Sequence, residues 1–394
     1  MNLRTKQRVD LALGIVLTAV LKPMARLLGR MLRRDHTLQV NCDITVIKML
    51  GGGSIVLALP ALLALRRRYP DRRLTLICTG ATQAFAETLG VFDDFIRIDD
   101  RSIPRLMSSS VAALASTWRK DTIIDLEVHS RLTTIFSLLT CARNRICFYV
   151  ETAYWRKGLA THLFFFNRAG PAPRFYEQIA TALDATIPPV AECRAHFRRQ
   201  NRVDDRLPAR VEAGDGSGGQ RIGVGCFCSD LALERMFSAE EWVDVLRRSD
   251  IADGAQISLY GGPGDREKAA GYRETLAAAL PAMRVQNLAG QLSLGESIRA
   301  IAEMDRFWSI DSGLLHIARL LGVPTTSFWG PTDPNTLLQQ IEAVDEAVHY
   351  SRLPCSPCVH VADTTPCRGA RPCMAAHVRP LTPAEANPPW IEVP

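Results

Sequence analysis

From Asp43 onward the chain alternates short apolar runs with helix-length stretches, and it does so twice. "ITVIKML", "RLTLICT", "FDDFIRIDD" and "DTIIDLEVHS" each hold a strand-length apolar core. Between them lie a "GGGS" turn with the helix "IVLALPALLALRRRYP", then the helices "ATQAFAETLG" and "VAALASTWRK". Helical spacing continues from Pro171 to Gln200, broken at Pro188-Pro189. After "EAGDGSGGQ", with four glycines in nine residues, the pattern restarts. "RIGVGCF", "AQISLYGGPGD", "MRVQNLAG" and "DRFWSI" read as strands. "SAEEWVDVLRRS" is a helix opened by a capping box, Ser238 with Glu241 three residues on. Such βαβ alternation implies mostly parallel sheets. Two units joined by a glycine-rich hinge imply an interdomain cleft outside the carboxyl ends of the strands.

A chain of 394 residues fits two domains rather than one core. The expected division is 1–40 as an amphipathic helical extension, 41–210 and 211–349 as two Rossmann-like domains, and 350–394 as a Cys-rich tail. The formal charge of +6 comes from 47 basic and 41 acidic residues. So mild an excess makes nucleic acid an unexpected partner and fits an anionic substrate or membrane surface. No small-residue cleavage site follows a clean apolar run, so the eleven cysteines read as reduced thiols or metal ligands rather than disulfides. "LALGIVLTAVL", Leu11 to Leu21, is about half of a bilayer span and is followed by the basic, apolar "MARLLGRMLRR". A helix at an anionic membrane face, one packed on its own domain, and a true span all remain open.

The densest chemistry lies in "IDSGLLHIARLLGVPTTSFWGPTDP", Ile310 to Pro334. Asp311 and Ser312 can cap a helix, Gly313 lets a ligand approach, and the first-turn amides face an anion. The plain alternative is a capped helix with His316 satisfied in the core. A second turn, Gly330-Pro331-Thr332-Asp333, follows the next strand. Together the two turns can hold a diphosphate through amides, Ser312 and Thr332, with His316 or a nearby basic group offsetting charge. In "LYGGPGDRE" Asp265 and Glu267 can accept from ribose hydroxyls, unless the segment is a simple strand-helix turn. Neither a G-x-x-x-x-G-K loop nor a G-x-G-x-x-G fingerprint is present here, and no redox cofactor is expected.

In "KMLGGGS" Gly52 and Gly53 offer open backbone, and Ser54 caps a helix or touches a substrate oxygen. Asp125, Glu127 and His129 recur at period two and share one side if the strand runs that far. A carboxylate beside an imidazole is a proton acceptor for a hydroxyl; the alternative is a set of surface or hinge polar groups. Cys355, Cys358, Cys367 and Cys373 open with C-x-x-C, and four thiols suit one structural zinc or iron ion, with packed free thiols or a redox pair as the alternative.

These residues resemble the ADP-heptose:lipopolysaccharide heptosyltransferases, glycosyltransferase family 9. "NLAGQLSLGESIRAIAEMDRFWSIDSGLLHIARLLGVPTTSFWGPTDP", "SIVLALPALLALRRRYP", "DLEVHSR" and "YGGPGDREKA" carry the likeness over roughly Ile44 to Pro334. The resemblance implies an α/β GT-B fold. It further implies inverting transfer of a heptose from an ADP-sugar to a lipopolysaccharide core or related lipid-linked saccharide. By it, Asp311, Ser312, Gly313, Leu314 and His316 line the donor diphosphate and sugar, with Gly225, Gly330 and Pro331 alongside. Glu267 or Asp265 holds ribose, Thr332 and Asp333 close the site, and a lysine of the family maps to Arg235. Gly52, Gly53 and His129 fall on the acceptor side. The family's acceptor base is an Asp in "G-D-V-V", where this chain has Ser54, so Glu127 becomes the first candidate for that role. The thiol cluster resembles that of an iron-binding branch acting on autotransporter proteins, which keeps a protein acceptor open. A nucleotide-sugar binding or hydrolysing protein of the same fold is the other alternative. The expected location is cytoplasmic, peripheral at the inner membrane.

Overall fold

The computed structural model describes residues 3–32, 35–150, 154–204, 219–229, 232–339, 345–359, 361–362 and 365–386. It divides into two units, Met1–Cys193 and Arg194–Pro394. Unit 1 begins with the long helix α1 (Leu3–Leu32). There follow β1 (Ile44–Ile47), α2 (Gly52–Leu57), α3 (Leu59–Arg68), β2 (Leu74–Thr79), α4 (Gly80–Glu87), β3 (Asp94–Ile98) and α5 (Ile103–Ser116). β4 (Thr122–Asp125), α6 (Arg131–Leu139), β5 (Asn144–Tyr149), β6 (His162–Phe165) and α7 (Ala172–Ala182) complete it, and α8 (Val190–Gln200) carries the division between units. Unit 2 runs β7 (Arg221–Gly225), α9 (Ala239–Arg247), β8 (Gln256–Tyr260), α10 (Arg266–Ala279), β9 (Arg284–Asn287) and α11 (Leu294–Ala302). It ends with β10 (Arg306–Ile310), α12 (Gly313–Leu321), β11 (Thr325–Trp329), α13 (Pro334–Leu337), β12 (Glu346–Tyr350) and a Cys-rich segment of turns and short helices.

Each unit holds one six-stranded sheet, ordered β3-β2-β1-β4-β5-β6 and β12-β11-β10-β7-β8-β9. All pairs are parallel. Strands β1, β4 and β11 are buried along their whole length, because helices cover both faces of a parallel sheet. Both orders are the Rossmann order, so each sheet reverses direction of growth once, between β1 and β4 and between β7 and β10. The expected α/β architecture of two Rossmann-like units, as in the GT-B class, is what forms.

Local differences have local causes. "GGGS" is not a free turn: Gly51 caps α2 at φ 88°, a left-handed conformation that glycine adopts at little cost, and the helix is under way by Gly52. The helix then breaks at Ala58, where Pro60 supplies no amide to continue it. β4 stops at Asp125 because Asp125 Oδ1 accepts from the Glu127 amide at 3.0 Å and turns the chain. The expected period-two face through Glu127 and His129 therefore does not exist. α1 runs straight through Pro23, longer than the apolar run alone suggested. Apart from Gly219 and Gln220, the glycine-rich hinge lies outside the described residues.

Candidate functional site

The candidate residues of unit 2 follow β11, β10, β7 and β8, four consecutive strands of one parallel sheet. Their loops thus share its carboxyl edge, around the switch point, where such sheets bind ligands. Ser312 caps α12, and its Oγ accepts from the Leu315 amide at 3.4 Å. Ser309 Oγ lies 3.1 Å from Ser312 Oγ and also donates to the Gly225 carbonyl at 3.2 Å. A side chain on Gly225 would come within 2.6 Å of that Ser309 hydroxyl, so Gly225 supports the cap from beneath rather than facing a ligand. The amides of Gly313 and Leu314, on partly exposed residues, make no hydrogen bond among the described residues. They are the ready donors of the α12 N-terminus.

Arg235 stands beside them. Its Nη1 donates to the Asp311 carbonyl at 3.0 Å and to Asp311 Oδ2 at 3.1 Å, and Nε donates to the Ala232 carbonyl at 3.1 Å. The arginine side chain is 12% exposed and that of Asp311 6%. Burial alone would disfavour the guanidinium charge, but Asp311 more than offsets it, so Arg235 remains a cation. Asp311 is thereby a positioner of Arg235.

His316 behaves differently from its expected role. It is fully buried, and burial pushes its pKa down to about 4, despite the Asp311 carboxylate 3.9 Å from Nε2. A neutral imidazole cannot offset a diphosphate's charge, which leaves Arg235 as the cation. His316 Nδ1 and Thr332 Oγ1 are both buried with no hydrogen-bond partner among the described residues, which marks polar capacity held in reserve at this edge. Asp333 is engaged: its Oδ1 caps α13 through the Asn335 amide at 2.9 Å. Asp265 is engaged too, accepting from the Gly262 amide at 2.8 Å, whereas Glu267 stands exposed in the first turn of α10.

In unit 1 the loops after β1 and β4 lie side by side at the switch point. Glu127 Oε1 accepts from Lys48 Nζ at 3.2 Å and from the amides of Met49 and Leu50 at 2.8 and 2.9 Å. It is thus the clasp of the β1–α2 loop. Lys48 is buried, yet the adjacent Glu127 outweighs that burial and its pKa is raised. The fully buried Arg156 donates to the carbonyls of Glu127 and Ser130 at 2.7 and 3.0 Å and so fixes the loop between them. Asp125, also bonded by Thr133 Oγ1 at 2.9 Å, is pushed up to about 6 by burial. His129 is exposed in the loop beyond.

Ser54 lies beside the buried Tyr176. Gly52 is not open to a ligand: a Cβ there would meet the Phe85 ring at 2.4 Å, so this glycine lets α4 pack on α2. Gly53 is partly buried in the same turn. Sequence reasoning missed Lys48 and Arg156. An arginine in "YWRKG" carries no pattern that sets it apart from a surface residue.

The four tail thiols do not form the expected ligand set. No group of three or more His, Cys, Asp or Glu residues able to hold a metal ion occurs among the described residues. The structure shows none of the eleven cysteines in a disulfide. Cys373 fills the space that Gly330 leaves, its Sγ 2.8 Å from where a Cβ would sit. Burial, with the neighbouring tail thiols, pushes Cys358 and Cys373 up to about 11 and 12. Together with the amides of Cys358 and Val359, which donate to the Pro331 carbonyl at 3.1 and 3.0 Å, they brace the turn bearing Thr332.

The family described as glycosyltransferase family 9 (heptosyltransferase) matches residues 179–368. A lipooligosaccharide heptosyltransferase 2 of Haemophilus influenzae is 34% identical over 84 residues, 21% of this chain and 24% of that protein. The chain thus aligns with about a quarter of that relative's length. Among solved structures, the Escherichia coli ADP-heptose lipopolysaccharide heptosyltransferase II is similar with a TM-score of 0.54 at 16% identity, covering 85% of this chain and 98% of that one. An E. coli heptosyltransferase with ADP-2-deoxy-2-fluoro heptose gives 0.55 at 17% identity, covering 79% and 93%. At these identities the structures attest the shared fold.

Proposed function

We propose, from the premise that this chain belongs to glycosyltransferase family 9, that it transfers a heptose or related sugar from an ADP-sugar to a lipopolysaccharide-type, lipid-linked saccharide. The observation that carries this reading is the Arg235–Asp311 pair beside the unbonded amides of Gly313 and Leu314. The diphosphate takes those amides and the guanidinium, which stabilise it as it departs. Thr332 Oγ1 supplies a further donor, and Glu267 rather than the self-capped Asp265 holds ribose. The acceptor hydroxyl displaces ADP at the anomeric carbon from the opposite face, which inverts the centre. Its proton passes to Glu127 Oε2, the carboxylate oxygen that takes no hydrogen bond among the described residues.

Support for the nucleotide comes from the ADP-sugar analogue in the similar E. coli structure, and for the acceptor from the lipooligosaccharide named in the aligned relative. Ser54 at the family's aspartate position, beside the buried Tyr176, favours a second reading: a nucleotide-sugar binding or hydrolysing protein. ADP-heptose with lipid-linked saccharide extract, read by mass spectrometry, separates the readings. The first expects a heptosylated lipid, lost by at least about a hundredfold in Glu127→Gln while ADP binding persists. Free heptose without glycosylated product supports the second. Heptosylated protein from an autotransporter extract, with none on lipid, moves the acceptor to protein.

A further inference from the structure

Helix α1 is amphipathic in the reverse sense from a helix packed on a soluble domain. The residues that meet unit 1 are polar or small and recur every four positions. Asp10 caps α6, accepting from Ser130 Oγ at 2.6 Å and from the amides of Arg131 and Leu132 at 2.9 and 3.0 Å. Gly14 is buried where a Cβ would lie 2.4 Å from Arg131 Cβ, Thr18 is buried, and Lys22 Nζ donates to the Trp155 carbonyl at 3.4 Å. The large apolar side chains face outward, with Val16, Leu27 and Met31 at 61, 61 and 72% exposed and Leu11, Val20 and Met24 beside them. Exposed Arg8 and Arg30 accompany that face, Arg26 lies beside Gly158, and Asp10, turned inward, is the only acidic residue of the first 34.

We propose that α1 docks unit 1 on an anionic bilayer, lying in the interfacial plane with its apolar face among the acyl chains. Arg8–Met31 is long and apolar enough to cross a membrane, with mean hydropathy 1.8. Yet its contacts from Asp10 to Lys22 hold about 18 Å of the helix against folded protein, which a spanning helix cannot keep. Basic groups without acidic neighbours select anionic headgroups over a second copy of the same basic surface. Through Asp10 the bilayer is coupled to Ser130, the α6 cap, three residues past Glu127. The consequence for a lipid-linked acceptor rests on the transferase reading; vesicle binding does not.

Co-sedimentation of the full chain with phosphatidylethanolamine–phosphatidylglycerol vesicles tests it, with phosphatidylcholine vesicles alongside. Strong, salt-sensitive binding to the anionic vesicles is expected, weakened at least tenfold in Val16→Glu/Val20→Glu/Leu27→Glu with thermal melting retained. Arg8→Glu/Arg30→Glu, which keeps the apolar face, should weaken it about fivefold or more per charge. Failure of the wild-type chain to bind, or binding unaffected by both variants, overturns the proposal. So does a dimer without vesicle affinity that the triple variant dissociates, or protease protection of the N-terminus inside sealed vesicles. Vesicle binding without sugar transfer sinks the transferase reading alone, and transfer without vesicle binding sinks this one alone.

Discussion

Replacing His316 with Gln removes a proton site that the fold keeps empty. Burial lowers the His316 pKa from 6.5 to about 4, and Asp311 at 3.9 Å does not restore it. In the unfolded chain the imidazole titrates near 6.5. Between these values the unfolded state binds a proton that the folded state refuses. Stability is therefore unaffected above about pH 6.5 and falls as pH drops toward 4. Each tenfold in proton affinity is worth about 1.4 kcal/mol, so the full loss is about 3 kcal/mol, with about 2 kcal/mol reached by pH 5. Urea unfolding followed by tryptophan fluorescence at pH 7 and pH 5 measures it, since Trp308 and Trp329 sit on the strands flanking α12. The wild-type chain should lose about 2 kcal/mol more than His316→Gln over that interval. A difference between the two that does not change with pH would mean that the folded imidazole titrates as it does in the unfolded chain, and would refute the burial-lowered pKa of His316.

Asp125 has the opposite sign: its pKa is raised by burial to about 6, so the folded state holds a proton that the unfolded state releases. Stability of unit 1 should fall as pH rises from about 4 to about 6, by about 3 kcal/mol in full, and Asp125→Asn should flatten that slope in the same urea titration. Gly330→Ala should cost about 1–3 kcal/mol by calorimetry, because the new methyl would lie 2.8 Å from the buried Cys373 Sγ.

The βαβ order was legible because fully buried parallel strands read as apolar runs and helices announce themselves by caps such as Ser238 with Glu241. β5 and β6 were not, since "NRICFY" and "HLFF" are short and mixed with polar residues and lie between unmarked loops. The α12 cap was legible from Ser312 and Gly322, for those residue types carry out capping through their own backbone and side-chain chemistry. Long-range partners were not. Nothing local tells that Arg156 holds Glu127, that Asp10 caps a helix 120 residues away, or that Cys373 packs under Gly330. Spacing suggested a metal site, and no group of three or more ligands able to hold a metal ion occurs among the described residues.

The central claim is that the α12 N-terminus and Arg235 bind a pyrophosphate. Calorimetric titration of the full chain with ADP and with adenosine tests it most directly. With two or more charge-assisted hydrogen bonds to the diphosphate, ADP should bind at least about a hundredfold more tightly than adenosine. Arg235→Lys should erode that ratio and leave adenosine unchanged. Equal affinities for ADP and adenosine would contradict the account.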